Sequence, residues 1–447
     1  MPVIQLVGWT YLFICFCLST FHLFTSFSLL PEQQLSRATD PLLTAAAVDW
    51  DQVLFQRYQQ SSDPVVPSSQ FNEITPQIRL SKMFSKSVVS QDLIRPYWFT
   101  SSIQPSKEAL TLTTVVEWKE LEALVRLAQV YEGPISATLI VPCVHNLHHE
   151  QTMQQLNTIR QWYETTVVLR RYVDLHLFLQ PGGMRVNEEG ELEETPGQGR
   201  GGGGYQKARN IARFFSRTDY VAMVPVTLLW MTQIGTSFRQ HLSHLKAGDV
   251  LVLPTFGFPS FSTSSEQDKD RWPTDRQSVV EWVEAGEMGL LDENYELNNG
   301  PTSFITWRDA REPYRVPHYD YKYGPIFIST RLNHPWCEER FEDYLASCVY
   351  SIYLSGANLW VLPNDYAVSE TVDRKETWTP QQRKIQQKLA SKYRMEQCVF
   401  YARQFDQLDI FQTERAEHVR QECSKALLNL QKQKMISNVM KAERPSF

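Results

Sequence analysis

Apolar positions along this chain follow two rhythms. The stretch Thr111, Leu112, Thr113, Thr114, Val115, Val116 is rich in β-branched residues and predicts a strand. Over 117–131 the apolar residues Leu121, Leu124, Val125, Ala128 and Tyr131 recur at helical spacing, and Gly133-Pro134 closes the stretch. Residues 136–142 form a second short apolar run, 148–163 a second helical pattern, and 173–179 a third strand. Helix is expected again over 205–215, and strands over 220–230 and 250–254. Alternating strands and helices predict an α/β domain with a largely parallel sheet. Beyond Thr379 the pattern turns helical, and 412–441 is a polar stretch with a sparse stripe of Ala426, Leu427, Leu430 and Ile436.

The amino-terminal pattern is different. Residues 3–30 contain no Asp, Glu, Lys or Arg. A helix needs about 20 apolar residues to cross the hydrocarbon core, so this run is long enough to span with some tilt. A retained signal-anchor over 1–30 is the expectation, since no basic segment precedes the run and it exceeds the usual core of a cleaved leader. A cleaved signal peptide and a buried core helix are the competing readings. Charge gives little on orientation: the nearest basic residue, Arg37, lies on the carboxyl side. Residues 31–95 mix Gln, Ser, Pro and Asp and read as a stem, leaving 96–415 for the body and 416–447 for a helical tail.

Composition narrows the chemistry. A net charge of −6 and the lack of a long basic stripe argue against nucleic acid as a partner. Of seven cysteines, Cys15 and Cys17 lie in the apolar run. Cys143, Cys337, Cys348, Cys398 and Cys423 fit no zinc spacing; one or two disulfides with a free thiol, or buried thiols throughout, both suit them. His145 and His149 have the spacing of a metalloprotease helix, but Asn146 stands where the glutamate would be. Asp268-Lys269-Asp270 lies in polar surroundings with no preceding apolar strand to hold it, and reads as a solvated loop. The Gly-rich end of the 182–204 insertion lacks phosphate-loop spacing.

Several pieces occur in a telling order: Tyr131-Glu132-Gly133-Pro134-Ile135-Ser136; Arg209-Asn210-Ile211-Ala212; 300–307 followed by Pro313-Tyr314-Arg315-Val316; Glu338-Glu339-Arg340-Phe341; and Val361-Leu362-Pro363-Asn364. In that order the chain, over about 112–404, resembles glycosyltransferase family 49, which includes the second catalytic domain of LARGE-type xylosyl/glucuronyltransferases. The resemblance implies a GT-A-like fold behind an N-terminal transmembrane helix, and a single-pass type II protein of the Golgi membrane. It also implies Mn²⁺ and a nucleotide-sugar as cofactors and a glycan acceptor. Arg209 and Asn210 would lie beside the nucleotide, where an arginine can pair with phosphate; a solvated helix face is the plainer alternative.

The departures fall on the chemistry. The family's metal-binding Asp-x-Asp aligns with Pro225, Val226 and Thr227, and neither Pro225 nor Thr227 can replace a carboxylate. The late His-x-x-His falls on Ser369 and Val372, a glutamate before proline becomes Gly324, and a Gly-rich segment falls on 343–348, with the acid soon after it on Leu354. Two expectations follow. One is a transferase with reduced or lost activity, using replacement acids such as Glu338, Glu339 or Asp343. The other is a catalytically inactive glycan-binding or partner subunit.

Overall fold

The computed structural model describes residues 93–143, 149–181, 184–186, 192–194, 204–259, 273, 275–341, 343–369 and 380–426. The apolar run, most of the stem, His145, His148, the Asp268-Lys269-Asp270 loop, Val372 and residues 427–447 lie outside them. Among the described residues no helix is long and apolar enough to cross a membrane.

The first half of the body is built as its pattern predicts. Strands β1 (Leu93–Phe99) and β2 (Leu110–Glu117) lead through helix α1 (Leu121–Tyr131) to β3 (Ile135–Cys143). Helices α2 (His149–Thr165) and α3 (Val167–Tyr172) then return the chain to β4 (Val173–Pro181). The insertion that follows carries a small hairpin, β5 (Met184–Val186) with β6 (Leu192–Glu194), and leads into α4 (Gly204–Phe214) and β7 (Tyr220–Met223). Strands β4, β3, β2 and β7 are mutually parallel, while β1 adds antiparallel at the edge. That edge strand lies at the end of the segment read as stem, so Leu93–Phe99 belongs to the body.

The second half departs from a parallel sheet. Its elements are β8 (Leu228–Met231), the short helices α5 (Ile234–Ser237) and α6 (Leu242–Lys246), β9 (Val250–Val252), β10 (Thr255–Gly257), α7 (Arg276–Glu284), β11 (Gly289–Leu290), α8 (Phe304–Asp309), β12 (Tyr314–Arg315), β13 (Phe327–Thr330), α9 (Leu345–Leu354), β14 (Leu359–Val361), β15 (Ala367–Ser369) and α10 (Pro380–Gln407). The main sheet runs β1-β4-β3-β2-β7-β13-β9-β14-β12, with β13 antiparallel to both neighbours. A second sheet runs β11-β10-β15-β8. The fold is therefore mixed α/β.

The strand alternation sorts side chains into two cores. Ala222, Leu251 and Ile328 face one apolar cluster, and their neighbours Met223, Val250, Val252 and Phe327 face the other. Burial on both faces is why these strands read as unbroken apolar runs. Each fully buried large apolar side chain contributes about 1.5–3 kcal/mol.

Described residues beyond 415 pack against the body. Ala416 and Val419 are buried in the second core, residues 417–426 are helical, and Glu422 receives Arg394 at 3.2 Å. Cys398 and Cys423 form a disulfide, as do Cys337 and Cys348. The described start of the polar carboxyl-terminal stretch is thus part of the body.

Candidate functional site

The chain passes from the first sheet to the second at three places: from β7 to β8, from β9 to β10 and from β14 to β15. The first crossing corrects the sequence reading. Residues 220–230 are not one strand: β7 ends at Met223, 226 and 227 form a turn, and β8 joins the other sheet. Pro225 explains the break, since its nitrogen has no proton to donate to a ladder. The Val224 amide still bonds the Thr113 carbonyl at 3.0 Å. Val226 is fully buried in the first core, while Pro225 and Thr227 on either side of it are half-buried.

Positions far apart in sequence meet here. On β15, Ser369 lies opposite Leu228, next to Thr227, just past an irregularity in the ladder. The β7–β13 register sets Phe327 against Met223, so Gly324 precedes β13 on the same side on which Pro225 follows β7. Thus the segments bearing Pro225, Thr227, Ser369 and Gly324 converge on one edge of the sheet junction. Thr227 and Ser369 offer neutral hydroxyls, and Pro225 and Val226 no side-chain donor at all. A divalent cation such as Mn²⁺ takes hard, preferably anionic oxygens, so these residues do not fit one. Among the described residues no group of three or more His, Cys, Asp or Glu could hold a metal ion.

Helix α4 meets this region with a polar stripe. Gln206, Arg209, Asn210 and Arg213 recur at helical spacing, and each reaches the segment 331–348. The Gln206 amide donates to Tyr344 O at 2.6 Å, and Arg213 donates to the carbonyls of Arg331, His334 and Pro335 at 2.7–2.8 Å. Asn210 is buried; it donates to Cys337 O and to Glu339, and accepts from Cys337 N at 3.0 Å. Arg209 pairs with Asp343 at 2.6 Å and lies over the Tyr205 ring. Burial opposes charge on Arg209, but Asp343, with Tyr205 and Glu293, holds its pKa above the ordinary value. Both residues expected beside a nucleotide therefore have protein partners.

The proposed replacement acids are partnered as well. Glu338 pairs with Arg340 at 3.2 Å, Glu339 accepts from Asn210 at 3.1 Å, and Asp343 holds Arg209. The acid that sequence reasoning missed is Glu293. A Cβ at Gly324 would lie 2.6 Å from its carboxylate oxygen and 2.9 Å from the Ala346 amide nitrogen. The carboxylate thus sits beside the position that carries a glutamate in the resembled family. Asp292, one residue earlier, is buried and accepts from Thr302 N at 2.9 Å and Thr302 Oγ1 at 2.6 Å. Its burial pushes the carboxyl up to about 6, against those hydrogen bonds.

The aromatic-x-Gly-Pro-Ile-Ser segment also gains a physical reason. The Tyr131 hydroxyl bonds Leu110 O at 2.5 Å, and a Cβ at Gly133 would lie 2.6 Å from the Tyr131 ring. Glycine lets the ring fold back over the turn, and Ser136, at the end of the segment, donates to Ala212 O of α4 at 2.6 Å.

With that geometry in place the comparisons are informative. Residues 205–402 match the family model of glycosyltransferase family 49, described as the glycosyl-transferase for dystroglycan. No curated protein matches the chain. Among solved structures, the crystal structure of GalNAc-T7 with UDP, GalNAc and Mn²⁺ is similar at 14% identity and a TM-score of 0.27, over 60% of this chain and 44% of that one. This chain thus spans less than half of that protein. The matched segment starts beside the stripe of α4 and contains the first sheet crossing, Glu293, Gly324 and the disulfide-closed loop 337–348. Over residues 205–402 the chain is therefore similar to glycosyltransferase family 49.

Proposed function

We propose that this protein is a single-pass type II Golgi membrane protein with a GT-A-type domain, in which Mn²⁺-dependent transfer from a nucleotide-sugar to a glycan is reduced or lost. One observation carries the reading: Pro225, Val226, Thr227 and Ser369 converge at the sheet junction with no carboxylate or imidazole among them. A metal there would neutralise the leaving diphosphate, and neutral hydroxyls are poor ligands for that work. Residues 3–30 support the membrane anchor by their uncharged length. The pairs Cys337–Cys348 and Cys398–Cys423 suit an oxidising secretory lumen.

The second reading, a catalytically inactive glycan-binding or partner subunit, is favoured by the engagement of Arg209 with Asp343 and of Asn210 with Cys337. The test is turnover by the full chain in detergent, using a panel of uridine diphosphate sugars with and without Mn²⁺. Slow, metal-independent turnover supports a weakened transferase. No turnover on any donor, with retained glycan binding, supports the subunit. Rapid Mn²⁺-dependent transfer would sink both.

A further inference from the structure

Two features that attract anions lie around Glu293. The first is Arg209, whose side chain is 12% exposed and whose Nε is buried without a hydrogen-bond partner. The second is the N-terminus of α9, a ten-residue helix whose N-cap residue, Tyr344, provides no side-chain cap. The first amides of a helix carry a partial positive charge and lack intrahelical acceptors. Both features already meet carboxylates of the same chain. Asp343 lies 2.6 Å from an Arg209 nitrogen. Glu293 acts on Arg209 electrostatically, and its carboxylate oxygen and the Ala346 amide nitrogen lie 2.6 and 2.9 Å from the same point, the absent Cβ of Gly324.

The fold holds both acids in place. Asp343 lies in the loop closed by the Cys337–Cys348 disulfide; Gln206 and Asn210 grip that loop, and Arg213 grips the carbonyls just before it. Glu293 follows Asp292, which Thr302 anchors in the core. The turn between them uses left-handed backbone at Asn294 and Asn298, at φ 72° and 66°, as does Ser303 just after it, at φ 60°. Such backbone persists in non-glycine residues only where the surroundings hold it. Gly324 and Gly300 leave the room, since a Cβ at Gly300 would lie 2.1 Å from Asp292 Oδ2.

We propose that Glu293 and Asp343 are built-in counter-anions that occupy an anion seat formed by Arg209 and the N-terminus of α9, and so keep phosphate-type ligands off it. With both carboxylates the cluster has a net negative charge, which repels an incoming anion. With both neutralised its sign reverses, and the Arg209 fork and the helix amides become available. The inference rests on the sheet junction named under Proposed function, but not on whether the protein turns sugar over.

The test is calorimetric titration of the full chain in detergent with inorganic pyrophosphate. Compared are the parent, Glu293→Gln, Asp343→Asn, the double variant, and the double variant with Arg209→Gln. The double variant should bind pyrophosphate at least about tenfold more tightly than the parent, and Arg209→Gln should remove the gain. A parallel gain for uridine diphosphate would identify the diphosphate as the recognised part. A double variant with the parent's circular dichroism and melting temperature but no gain would overturn the proposal. So would a gain that survives loss of Arg209. If the double variant fails to fold, the two single variants decide: each should show a smaller gain, and no gain in either overturns it. Rapid Mn²⁺-dependent transfer by the parent would overturn the functional reading instead, leaving this one to the pyrophosphate titration.

Discussion

Two buried histidines make the stability of this protein sensitive to mild acid. His176 Nδ1 accepts from the Tyr97 amide at 2.9 Å, so its proton is on Nε2, facing Ser136 Oγ at 3.0 Å. Protonating Nδ1 would set one donor against another. Burial, with Arg217 nearby, pushes His176 down to about 3; burial and Arg213 do the same to His334. Both folded-state values lie below the unfolded value of about 6.5. The unfolded chain therefore takes up protons first, and stability present above pH 6.5 is lost as the pH falls toward 3. Each histidine should cost about 1.4 kcal/mol by pH 5.5, or about 3 kcal/mol for the pair. Asp292 works in the opposite sense. With its carboxyl raised to about 6, it should regain about 0.8 kcal/mol over the interval from pH 7.5 to 5.5. Asp174, also raised by burial against the pull of Arg217, adds to that offset. A net loss of about 2 kcal/mol is expected for the parent. The assay is urea denaturation of the parent and of His176→Gln with His334→Gln at both pH values. What matters is the change with pH rather than the absolute stability, which the substitutions will also lower. The double variant should lose about 3 kcal/mol less than the parent, and could even gain stability on acidification. Equal losses in the two proteins would refute the reasoning.

Other outcomes follow from single contacts. Arg213→Met removes donors to three carbonyls in the segment 331–335 and should destabilise the body by about 3 kcal/mol or more, read as a lower melting temperature; a change within 0.5 kcal/mol would deny the stripe of α4 its clamping role. Gly300→Ala should cost at least about 2 kcal/mol, because its Cβ would meet the buried Asp292 side chain at 2.1 Å; parent-like denaturation would contradict that. Pro225→Asp with Thr227→Asp should introduce Mn²⁺ binding in the presence of uridine diphosphate, detected calorimetrically. The same pair should still turn over poorly, because Ser369 and the 343–354 segment stay as they are; vigorous transfer would show those departures to be unimportant. Cys398→Ala with Cys423→Ala should expose 408–426 to limited proteolysis while the rest of the body resists, and an unchanged digestion pattern would count against the disulfide as the anchor of that segment.

Much of this protein is legible in its sequence, for reasons that are local. The strands over 110–117, 135–143 and 173–181 and the helices between them carry their own periodicity, so the α/β order could be read without a structure. That Pro225 and Thr227 carry no acid is likewise a property of the letters, and the order of the motifs is what sets them against the acids of the resembled family. The register across sheets is not local. Pro225 marks a break within residues 220–230, but not which sheet the chain joins afterwards, because both sheets bury the apolar residues of the run. The edge strand Leu93–Phe99 was hidden in the same way, since its partner β4 lies about eighty residues away and no turn signal links them. Arg209 and Asn210 could be placed on a helix from sequence, but their partners Asp343 and Cys337 come from a loop more than a hundred residues on. Glu293 had no sequence signal at all. Its carboxylate matters because a glycine 31 residues later leaves room for it and the amide of Ala346 faces the same point, a meeting decided by tertiary packing alone.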